Sequence, residues 1–219
     1  MRRTTEETIT DMTRGLFITL EGGDGAGKST QIRNIKEYFE TKGYSCVITR
    51  EPGGTAIGEK LRDILLYSSG KEMDPITEML IFAAQRAQHV AEFVKPALER
   101  GDIVICDRYV DSSIAYQGYG RELGEKVAIV NGYATTGLKP DITFWMDLDP
   151  EQGRARVARA GELDRLEQEQ LDFHYRLYDG YRALAEAEPE RIKRIDASRS
   201  IDEIRDTIYS YLDNLVNKE

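Results

Sequence analysis

The chain has 219 residues, of which 40% are hydrophobic and 32% charged, as is typical of a single globular domain with a substantial core. Its net charge of −9 argues against broad binding to nucleic acids or anionic membranes. No apolar run is long enough to cross a membrane, and no apolar segment follows Arg2 and Arg3 as a signal peptide requires. We therefore expect a cytoplasmic protein in which Cys46 and Cys106 are packing residues rather than a disulfide or metal pair.

Strand and helix patterns alternate along the chain. A polar extension is predicted at residues 1–14, followed by a single domain at 15–219. Short apolar runs predict five strands, and apolar residues at helical spacing predict the helices between them. This alternation predicts an α/β fold, a five-stranded parallel sheet with helices on both faces. The predicted strands are 16–21, 44–49, 103–106, 142–148 and 192–196.

Particular residues mark where several helices begin or end. Asp74 and Pro75 predict the start of a long helix, which Pro96 should kink or break. Ser200, with Glu203 three residues later, forms a capping-box pattern and predicts the start of the last helix. The apolar residues expected on the faces of the second and third helices are Ile57, Leu61, Ile64, Leu65, Met79, Leu80, Phe82, Ala83 and Val90.

A glycine-rich segment follows the first predicted strand. Gly22, Gly27, Lys28 and Ser29 match G-x-x-x-x-G-K-[ST], the pattern of a phosphate-binding P-loop between a strand and a helix. Glycines let backbone N–H groups turn inward around a phosphate, and the helix N-terminus adds a positive dipole. We expect Lys28 to reach the β- and γ-phosphates and Ser29 to offer its hydroxyl to Mg²⁺. The predicted ATP site comprises Gly22, Gly23, Asp24, Gly25, Ala26, Gly27, Lys28, Ser29 and Thr30.

The third predicted strand ends at two charged residues. An aspartate in this position of a P-loop protein holds Mg²⁺, directly or through water, and Asp107 is the candidate. A helix cap or turn is the alternative for this side chain. Arg108 beside it would supply a guanidinium fork to a second phosphate group, unless it is a surface arginine. Mg²⁺, with ATP as the phosphoryl donor, is therefore the expected cofactor.

Other classes of P-loop protein fit less well. A signalling GTPase needs an Asn/Thr-Lys-x-Asp loop for guanine, and none is present. The residues after the third strand, Asp107-Arg108-Tyr109-Val110, also lack the Asp-x-x-Gly switch of that class. A P-loop ATPase that drives motion or assembly would lack its usual partner domains at this chain length.

Five stretches together resemble thymidylate kinase: EGGDGAGKST (21–30), TREPGGT (49–55), FAAQRAQH (82–89), DRYVDSSIAYQGYGR (107–121) and GELDRLEQE (161–169). The resemblance extends from about residue 16 to the C-terminus, and the second and fourth stretches in combination are specific. It implies a P-loop kinase fold with a small helical lid at about 150–165. It also implies phosphoryl transfer from MgATP to dTMP, which forms dTDP for dTTP synthesis.

The resemblance further implies a homodimer built on helix faces. The apolar helix at 76–90 is a candidate for that surface, although a buried core helix would show the same pattern. From the residues alone, two other functions stay open. These are a P-loop kinase for another nucleotide or small acceptor, and a P-loop ATPase that is not a kinase.

The resemblance assigns four residues to the thymine base. Phe82 matches the aromatic side chain that stacks on the ring, although its apolar helix would also suit a core residue. Arg86, one turn later, matches the arginine that donates to thymine O4. An amino group at that position, as in cytosine, would leave the donor unpaired. Ser113 matches a polar contact to the base, and Gln117 lies nearby in the sequence.

Other residues correspond to the sugar and phosphate contacts of the family. Asp24 matches a carboxylate that contacts the 3′-hydroxyl, and Tyr116 matches a tyrosine that crowds the 2′ position. Arg108 matches the arginine on the dTMP phosphate. Glu51 and Pro52 resemble a family loop whose proline is often cis. With the base contacts, these residues complete the predicted dTMP site.

An arginine-rich segment follows the fourth strand. Arg154, Arg156 and Arg159 lie within six residues that contain no acid, in a chain that is acidic overall. Some thymidylate kinases carry an arginine in the P-loop at the place of Gly25, and this sequence resembles the subgroup whose lid supplies it. We expect Arg156 or Arg159 to stabilise the transferring group, with Arg154 third. A solvated charged face is the alternative.

The predicted catalytic groups are charged side chains, since positioning and charge neutralisation carry most of phosphoryl transfer. No general base is expected, and His89 and His174 are interpreted as ordinary helix residues. The predicted catalytic set is Lys28, Asp107, Arg108, Arg156 and Arg159, with Ser29 and Asp107 on the metal.

Overall fold

The structure, a computed structural model, describes residues 14–67, 73–158 and 164–216. Within them, five strands form one parallel sheet: β1 (Phe17–Glu21), β2 (Cys46–Arg50), β3 (Ile103–Asp107), β4 (Ile142–Asp147) and β5 (Ile192–Asp196). The strand order is β2-β3-β1-β4-β5, and every neighbouring pair is parallel. The predicted fold class is therefore confirmed. The predicted extension at 1–14 lies outside the described residues except for Arg14.

Helices connect the strands on both faces of the sheet. Asp74 caps the third helix by accepting from the N–H groups of Ile76 and Thr77, with Pro75 in the first turn, as predicted. The predicted capping box of Ser200 and Glu203 is also formed. The described helices are α1 (Lys28–Thr41), α2 (Ala56–Tyr67), α3 (Pro75–His89), α4 (Lys95–Glu99), α5 (Val110–Ser113), α6 (Lys126–Thr135), α7 (Pro150–Val157), α8 (Leu171–Ala187) and α9 (Ile201–Val216).

Hydrophobic cores lie on both faces of the sheet because successive strand side chains point in opposite directions. On β4, Phe144 packs in the core that includes α1 and α9, and Trp145 packs in the core that includes α8. A third cluster contains Phe17 of β1 and Val104 and Cys106 of β3, together with Val94 of the segment after α3. This double burial explains why the strands are continuous apolar runs, and it places their carboxyl ends at one edge.

The long helix after Asp74 continues past Pro96, where a kink or a break was predicted. Pro96 does not break it: the chain stays helical to Glu99, and a π-helical segment, Val90–Val94, precedes the proline. The wider turn, in which the Lys95 N–H bonds to the Val90 carbonyl, accommodates the proline without ending the helix.

Three of the apolar residues at helical spacing on the second and third helices are exposed. Leu80 is 50% exposed, and Ile57 and Ile64 are also exposed. The helical spacing was right, but α2 and α3 each carry apolar residues on their outer sides as well.

The segment after β3 is helical. It begins as α5 at Val110 and continues as a π-helical segment, Ile114–Gly120. No helix in the described part of the chain is both long and apolar enough to cross a membrane.

Candidate active site

The P-loop leaves β1 at Glu21 and enters α1 at Lys28. Gly22, Gly25 and Gly27 have φ values of 128°, 77° and 86°, a region of backbone space that favours glycine. A β-carbon at Gly22 would also lie 2.6 Å from the carbonyl oxygen of Met146. No side chain caps the N-terminus of α1, so its first N–H groups remain available to an anion.

Lys28 is buried within this loop. Its Nζ donates to the carbonyl oxygens of Gly22 and Gly23, at 3.1 and 3.0 Å. Burial lowers the pKa of the ammonium group, and the nearby Arg108 adds to this effect. An anionic ligand would favour the charged form, so the environment of this lysine suits a bound phosphate.

A cavity of about 380 Å³ lies in front of the P-loop. The Oδ1 atom of Asp107 is buried, and no described residue hydrogen-bonds to it. Ser29 and Asp107 both line this cavity, so a hydroxyl-bearing and a carboxylate-bearing residue share one space. The lining residues are Asp24, Gly25, Gly27, Lys28, Ser29, Thr30, Arg50, Glu51, Arg62, Asp107 and Arg108.

Three predicted P-loop residues lie elsewhere. Gly22 and Gly23 turn their carbonyl groups toward Lys28, and neither lines this cavity. Ala26 is buried in the core beside α1. These residues shape the loop, and the described cavity is formed by their neighbours.

Arg108 lies between the cavity in front of the P-loop, which we call the phosphate cavity, and a second cavity. It has a positive φ of 70°, which turns its side chain back over the P-loop. The guanidinium donates to the Gly22 carbonyl at 2.8 Å, and to the hydroxyl groups of Ser112 and Tyr181. It also forms an ion pair with Asp24, at 2.6 Å. Arg108 is therefore a partly buried, fixed cation rather than a surface arginine.

Asp24 is held by two neighbours. Its Oδ1 accepts from Arg108, and its Oδ2 accepts from the hydroxyl of Tyr116 at 3.1 Å. Burial alone would raise the pKa of this carboxyl, but the charges of Arg108 and Lys28 outweigh it and hold the pKa well below its ordinary value. Asp24 is thus an anion placed where the two cavities meet.

The second cavity, of about 100 Å³, lies between the carboxyl end of the sheet and α3. All nine residues predicted for dTMP line this one space. The sequence analysis did not include Arg62, Leu66, Ser112, Asp164 or Leu166, which also line it. The nine predicted residues are Asp24, Glu51, Pro52, Phe82, Arg86, Arg108, Ser113, Tyr116 and Gln117.

Arg86 is 1% exposed and hydrogen-bonded on most of its guanidinium. It donates to Glu51, Ser113, Asn131 and the backbone oxygen of Tyr109. Four of its five N–H groups are thus used among the described residues, which leaves one N–H for a ligand in the cavity. Such a network fixes the direction of the remaining donor.

His89 is not the ordinary helix residue that was expected. Its Nδ1 lies 2.8 Å from Oε1 of Glu51, and its Nε2 lies 2.7 Å from the hydroxyl of Thr49. The same Glu51 carboxylate accepts from Arg86 through its other oxygen, at 2.7 Å. Thr49, His89, Glu51 and Arg86 therefore form one buried chain behind the cavity. The Glu51–Pro52 peptide bond is cis, as the loop pattern implied.

Helix α7 packs directly on the P-loop. A β-carbon at Gly153 would lie 2.6 Å from the carbonyl oxygen of Asp24, and one at Gly25 would lie 2.5 Å from that of Gly153. Arg156 donates to the carbonyl oxygen of Gly25 at 3.2 Å. Arg154 lines a different cavity, and Arg159 lies outside the described residues. Of the described lid arginines, Arg156 reaches the P-loop.

A family model described as thymidylate kinase matches residues 20–208 of the chain. The chain belongs to the thymidylate kinase family. The match begins just before the P-loop and ends within α9, so it spans both cavities.

Individual thymidylate kinases are similar over nearly the whole chain. One from an Exiguobacterium species is 50% identical over 198 residues, which cover 90% of this chain and 93% of that protein. One from Synechococcus sp. strain JA-3-3Ab is 54% identical, over 89% of this chain and 94% of its own. The crystal structure of thymidylate kinase from Ehrlichia chaffeensis matches with a TM-score of 0.75 and 34% identity, and it covers 91% of this chain and 98% of its own.

Sequence reasoning missed two buried carboxylates behind the two cavities. Glu21 accepts from the Tyr109 N–H and from the hydroxyl of Ser112, and so supports the segment that carries Arg108. Burial, followed by the nearby Asp111, raises its pKa to about 8. Glu21 directly precedes the P-loop glycine, and a charged residue at the end of an apolar strand was the available signal.

The second missed carboxylate is Glu78 of α3. It accepts from the side-chain amide of Gln117 at 2.8 Å, and pairs with Arg121 and Arg165. Since a carboxylate accepts but does not donate, it directs the Gln117 nitrogen to itself. The Gln117 Oε1 is buried and has no partner among the described residues, and Gln117 lines the second cavity. No local sequence pattern signals this arrangement.

Proposed function

We propose that the chain carries out the reaction of its family, the transfer of the γ-phosphoryl group of ATP to dTMP, in the two adjoining cavities. The products are dTDP and ADP, so the chain is a dTMP kinase. The observation that carries the assignment of the sites is the meeting of both cavities at Asp24 and Arg108. A phosphate acceptor in one cavity would thereby face the P-loop phosphates in the other.

The polar groups of the second cavity, which we call the acceptor cavity, suit thymine. A thymine ring presents a carbonyl oxygen at position 4 and an N–H at position 3. The remaining Arg86 N–H supplies a donor for the first, and Oε1 of Gln117 supplies an acceptor for the second. Cytosine has an amino group and a bare ring nitrogen at these positions, and would leave both protein groups unpaired. Phe82 provides an apolar surface for the ring.

Three cations surround the place where phosphate groups would meet. Arg108 and Arg62 each line both cavities, and Lys28 lies in the P-loop. Arg62 is fixed by donating to the Pro52 carbonyl at 2.7 Å. Their charges would stabilise the negative charge that spreads over the transferring group.

The residues of the phosphate cavity fit Mg²⁺. The buried Oδ1 of Asp107 has no partner in the described part of the chain, and an oxygen of this kind is a preferred magnesium ligand. Ser29 would provide the second protein oxygen. When bound with ATP, Mg²⁺ supplies charge neutralisation at the phosphate oxygens.

Helix α7 and the residues that follow it are the proposed lid of a single kinase domain at 15–219. Arg156 is the lid arginine favoured by its contact with the P-loop at Gly25. Arg159 remains the alternative from the sequence. Closing a cation over the phosphates would also exclude water from them.

A homodimer is the proposed assembly, and the cytoplasm is the proposed location. Exposed apolar side chains occur on α2, α3 and α6, which pack side by side. They are Ile57, Ile64, Tyr67, Ile76, Leu80, Ile129 and Tyr133. Cys46 and Cys106 are free thiols, as is usual in a reducing compartment.

A coupled ADP-release assay with MgATP and a panel of monophosphates tests the function. We expect dTMP to be the best acceptor, dUMP slower, and dCMP and AMP negligible. Lys28→Ala should remove activity with every acceptor, because it stabilises the transferring group. Preference for AMP, CMP or GMP would contradict the thymine assignment. ATP hydrolysis that no monophosphate changes would indicate an ATPase instead.

A further inference from the structure

The hydroxyl of Tyr181 reaches Arg108 from a distant part of the chain. Tyr181 lies on α8, 73 residues after Arg108, yet its Oη is 3.2 Å from Nη1 of that arginine. The side chain is 2% exposed, and it is not among the described residues that line the phosphate cavity or the acceptor cavity. Tyr181 therefore contacts the arginine that faces both cavities from outside them.

Close packing of α8 fixes the position of this hydroxyl. A β-carbon at Gly180, directly before Tyr181, would lie 2.9 Å from the ring of Tyr119 in the π-helical segment. The Tyr181 ring also stacks on Trp145 of β4, with centroids 6.3 Å apart and 18° between the planes. The close helix contact and the stacked ring together leave the phenol oxygen little freedom to move.

The hydrogen bonds around Tyr181 run in one direction. Arg108 can only donate, and so can the backbone N–H of Gly22, which also bonds to this phenol oxygen. Burial raises the pKa of Tyr181, so the phenol keeps its own proton. The remaining described neighbour, Oγ of Ser112 at 2.8 Å, therefore accepts that proton. Ser112 donates in turn to Oε2 of Glu21, so a chain of donors leads from the guanidinium to a buried carboxyl group.

This chain holds one side of the Arg108 guanidinium. Nη1 donates to Tyr181, Ser112 and the Gly22 carbonyl. Nη2 donates to Asp24. Among the described residues, these bonds leave Nε–H and one N–H of Nη2 without an acceptor, so both are available to phosphate oxygens. Because the other side is held, the available N–H groups keep one direction.

We propose that Tyr181 is a positioning residue for phosphoryl transfer, whose hydroxyl holds the Arg108 guanidinium in the direction that meets the acceptor phosphate. It acts through Arg108, because its oxygen bonds to that side chain and lies outside both cavities. The role rests on the proposed kinase function. Loss of the hydroxyl would change the orientation of a charged donor without removing a contact to a ligand.

Tyr181→Phe removes the hydroxyl and keeps the ring that stacks on Trp145. We expect kcat/KM for dTMP to fall about tenfold, the lower end of the effect of a hydrogen bond to a charged group, because Arg108 keeps its other contacts. KM for ATP should stay within about twofold of the parent chain, since the P-loop backbone and Lys28 remain in place. Steady-state kinetics in the coupled ADP-release assay measures both.

Tyr178→Phe is the matched control. Tyr178 lies on the same helix and packs edge-on against Trp145, with ring centroids 5.7 Å apart. Its hydroxyl bonds to Asp147 instead. This variant should keep kcat/KM for dTMP within about twofold of the parent chain. Urea unfolding measures the stability of both variants, and the assays are run well below either midpoint, so that a purely structural effect of Tyr181→Phe would leave the kinetics unchanged.

A double-variant cycle with Arg108→Lys tests whether Tyr181 acts through Arg108. Lysine keeps the charge but lacks the guanidinium fork, so Tyr181→Phe should have almost no further effect in the Arg108→Lys chain. Losses that multiply, or equal activity of Tyr181→Phe and Tyr178→Phe in an active parent chain, would overturn this proposal alone. A parent chain that does not phosphorylate dTMP would overturn the proposed function together with it.

Discussion

Asp24 contacts two residues that face the acceptor cavity, and this sharpens the role predicted for it. The carboxylate holds Arg108 and Tyr116, yet each of its oxygens retains a lone pair for a 3′-hydroxyl. It could therefore bind the sugar, position Arg108, or do both.

Asp24→Asn separates these roles. If the carboxylate binds the sugar, kcat/KM for dTMP should fall about tenfold more than for the 3′-deoxy analogue, the effect of a hydrogen bond to a charged group. Steady-state kinetics with both acceptors measures the difference. Equal losses would show that Asp24 acts through Arg108 alone.

The raised pKa of Glu21 leads us to predict that the free energy of unfolding depends on pH. Burial, with Asp111, raises its pKa to about 8 in the folded chain, from an ordinary value of 4.5. Between these values the folded state binds more protons than the unfolded state, so the Glu21 contribution to the free energy of unfolding decreases as pH rises. It is fully present below pH 4.5 and is lost as pH passes 8.

Glu21→Gln should remove this dependence, because an amide can accept from the Tyr109 N–H and donate to Ser112 without a charge. Urea unfolding of both chains at pH 5, 7 and 9 measures it. We expect the variant to gain stability relative to the parent chain as pH rises. A difference that is constant across this range would contradict the assignment.

At the scale of elements, the contact between α7 and the P-loop rests on two glycines. A β-carbon at Gly153 would lie 2.6 Å from the Asp24 carbonyl oxygen, so Gly153→Ala must move α7 away. The contact from Arg156 to Gly25 would lengthen with it. The lid arginine is thus positioned by a backbone contact that allows no side chain.

Arg156→Ala should lower kcat at least tenfold at saturating ATP and dTMP, since a transition-state arginine is worth about 10³–10⁵. Gly153→Ala should also lower kcat. The fold-loss in kcat of the double variant should be smaller than the product of the fold-losses of the two single variants. Arg205→Ala, at a partly exposed position of α9 far from the P-loop in sequence, is the control. If Arg156→Ala stays within threefold of the parent chain, Arg156 is not the lid arginine.

At the scale of the whole molecule, the outer faces of α2, α3 and α6 form the proposed homodimer interface. Ile129 on α6 is 61% exposed, and Ile201 on α9 is 58% exposed. They are matched in type and exposure, but Ile129 belongs to the proposed dimer face and Ile201 does not.

Ile129→Glu should therefore shift the chain from dimer to monomer, because a buried unpaired carboxylate is costly at an interface. Ile201→Glu should leave the assembly unchanged. Sedimentation velocity at several concentrations measures both. A parent chain that is monomeric throughout, or equal behaviour of the two variants, would contradict the proposed face.

The residues that line the two cavities were largely predictable. The P-loop could be recognised because its chemistry needs neighbouring residues, from Gly22 to Ser29, in one local conformation. The nine predicted acceptor residues came from family motifs, and the structure brings all nine to one cavity. The residues behind them were not predictable, because Glu78 and His89 show a helical pattern like any other.

By itself, the sequence determined the succession of strands and helices along the chain, the phosphate loop and the parallel α/β class. Periodicity and turn chemistry act over short separations, so a local pattern is enough to indicate them. Tertiary structure alone decided which buried charges meet. Glu51 lies 38 residues before His89, and Glu78 lies 39 residues before Gln117. It also decided the close approach of Gly25 and Gly153 and the contact of the Tyr181 hydroxyl with Arg108. These depend on how α3, α7 and α8 dock on the sheet, and docking is set by packing between distant segments rather than by any local pattern.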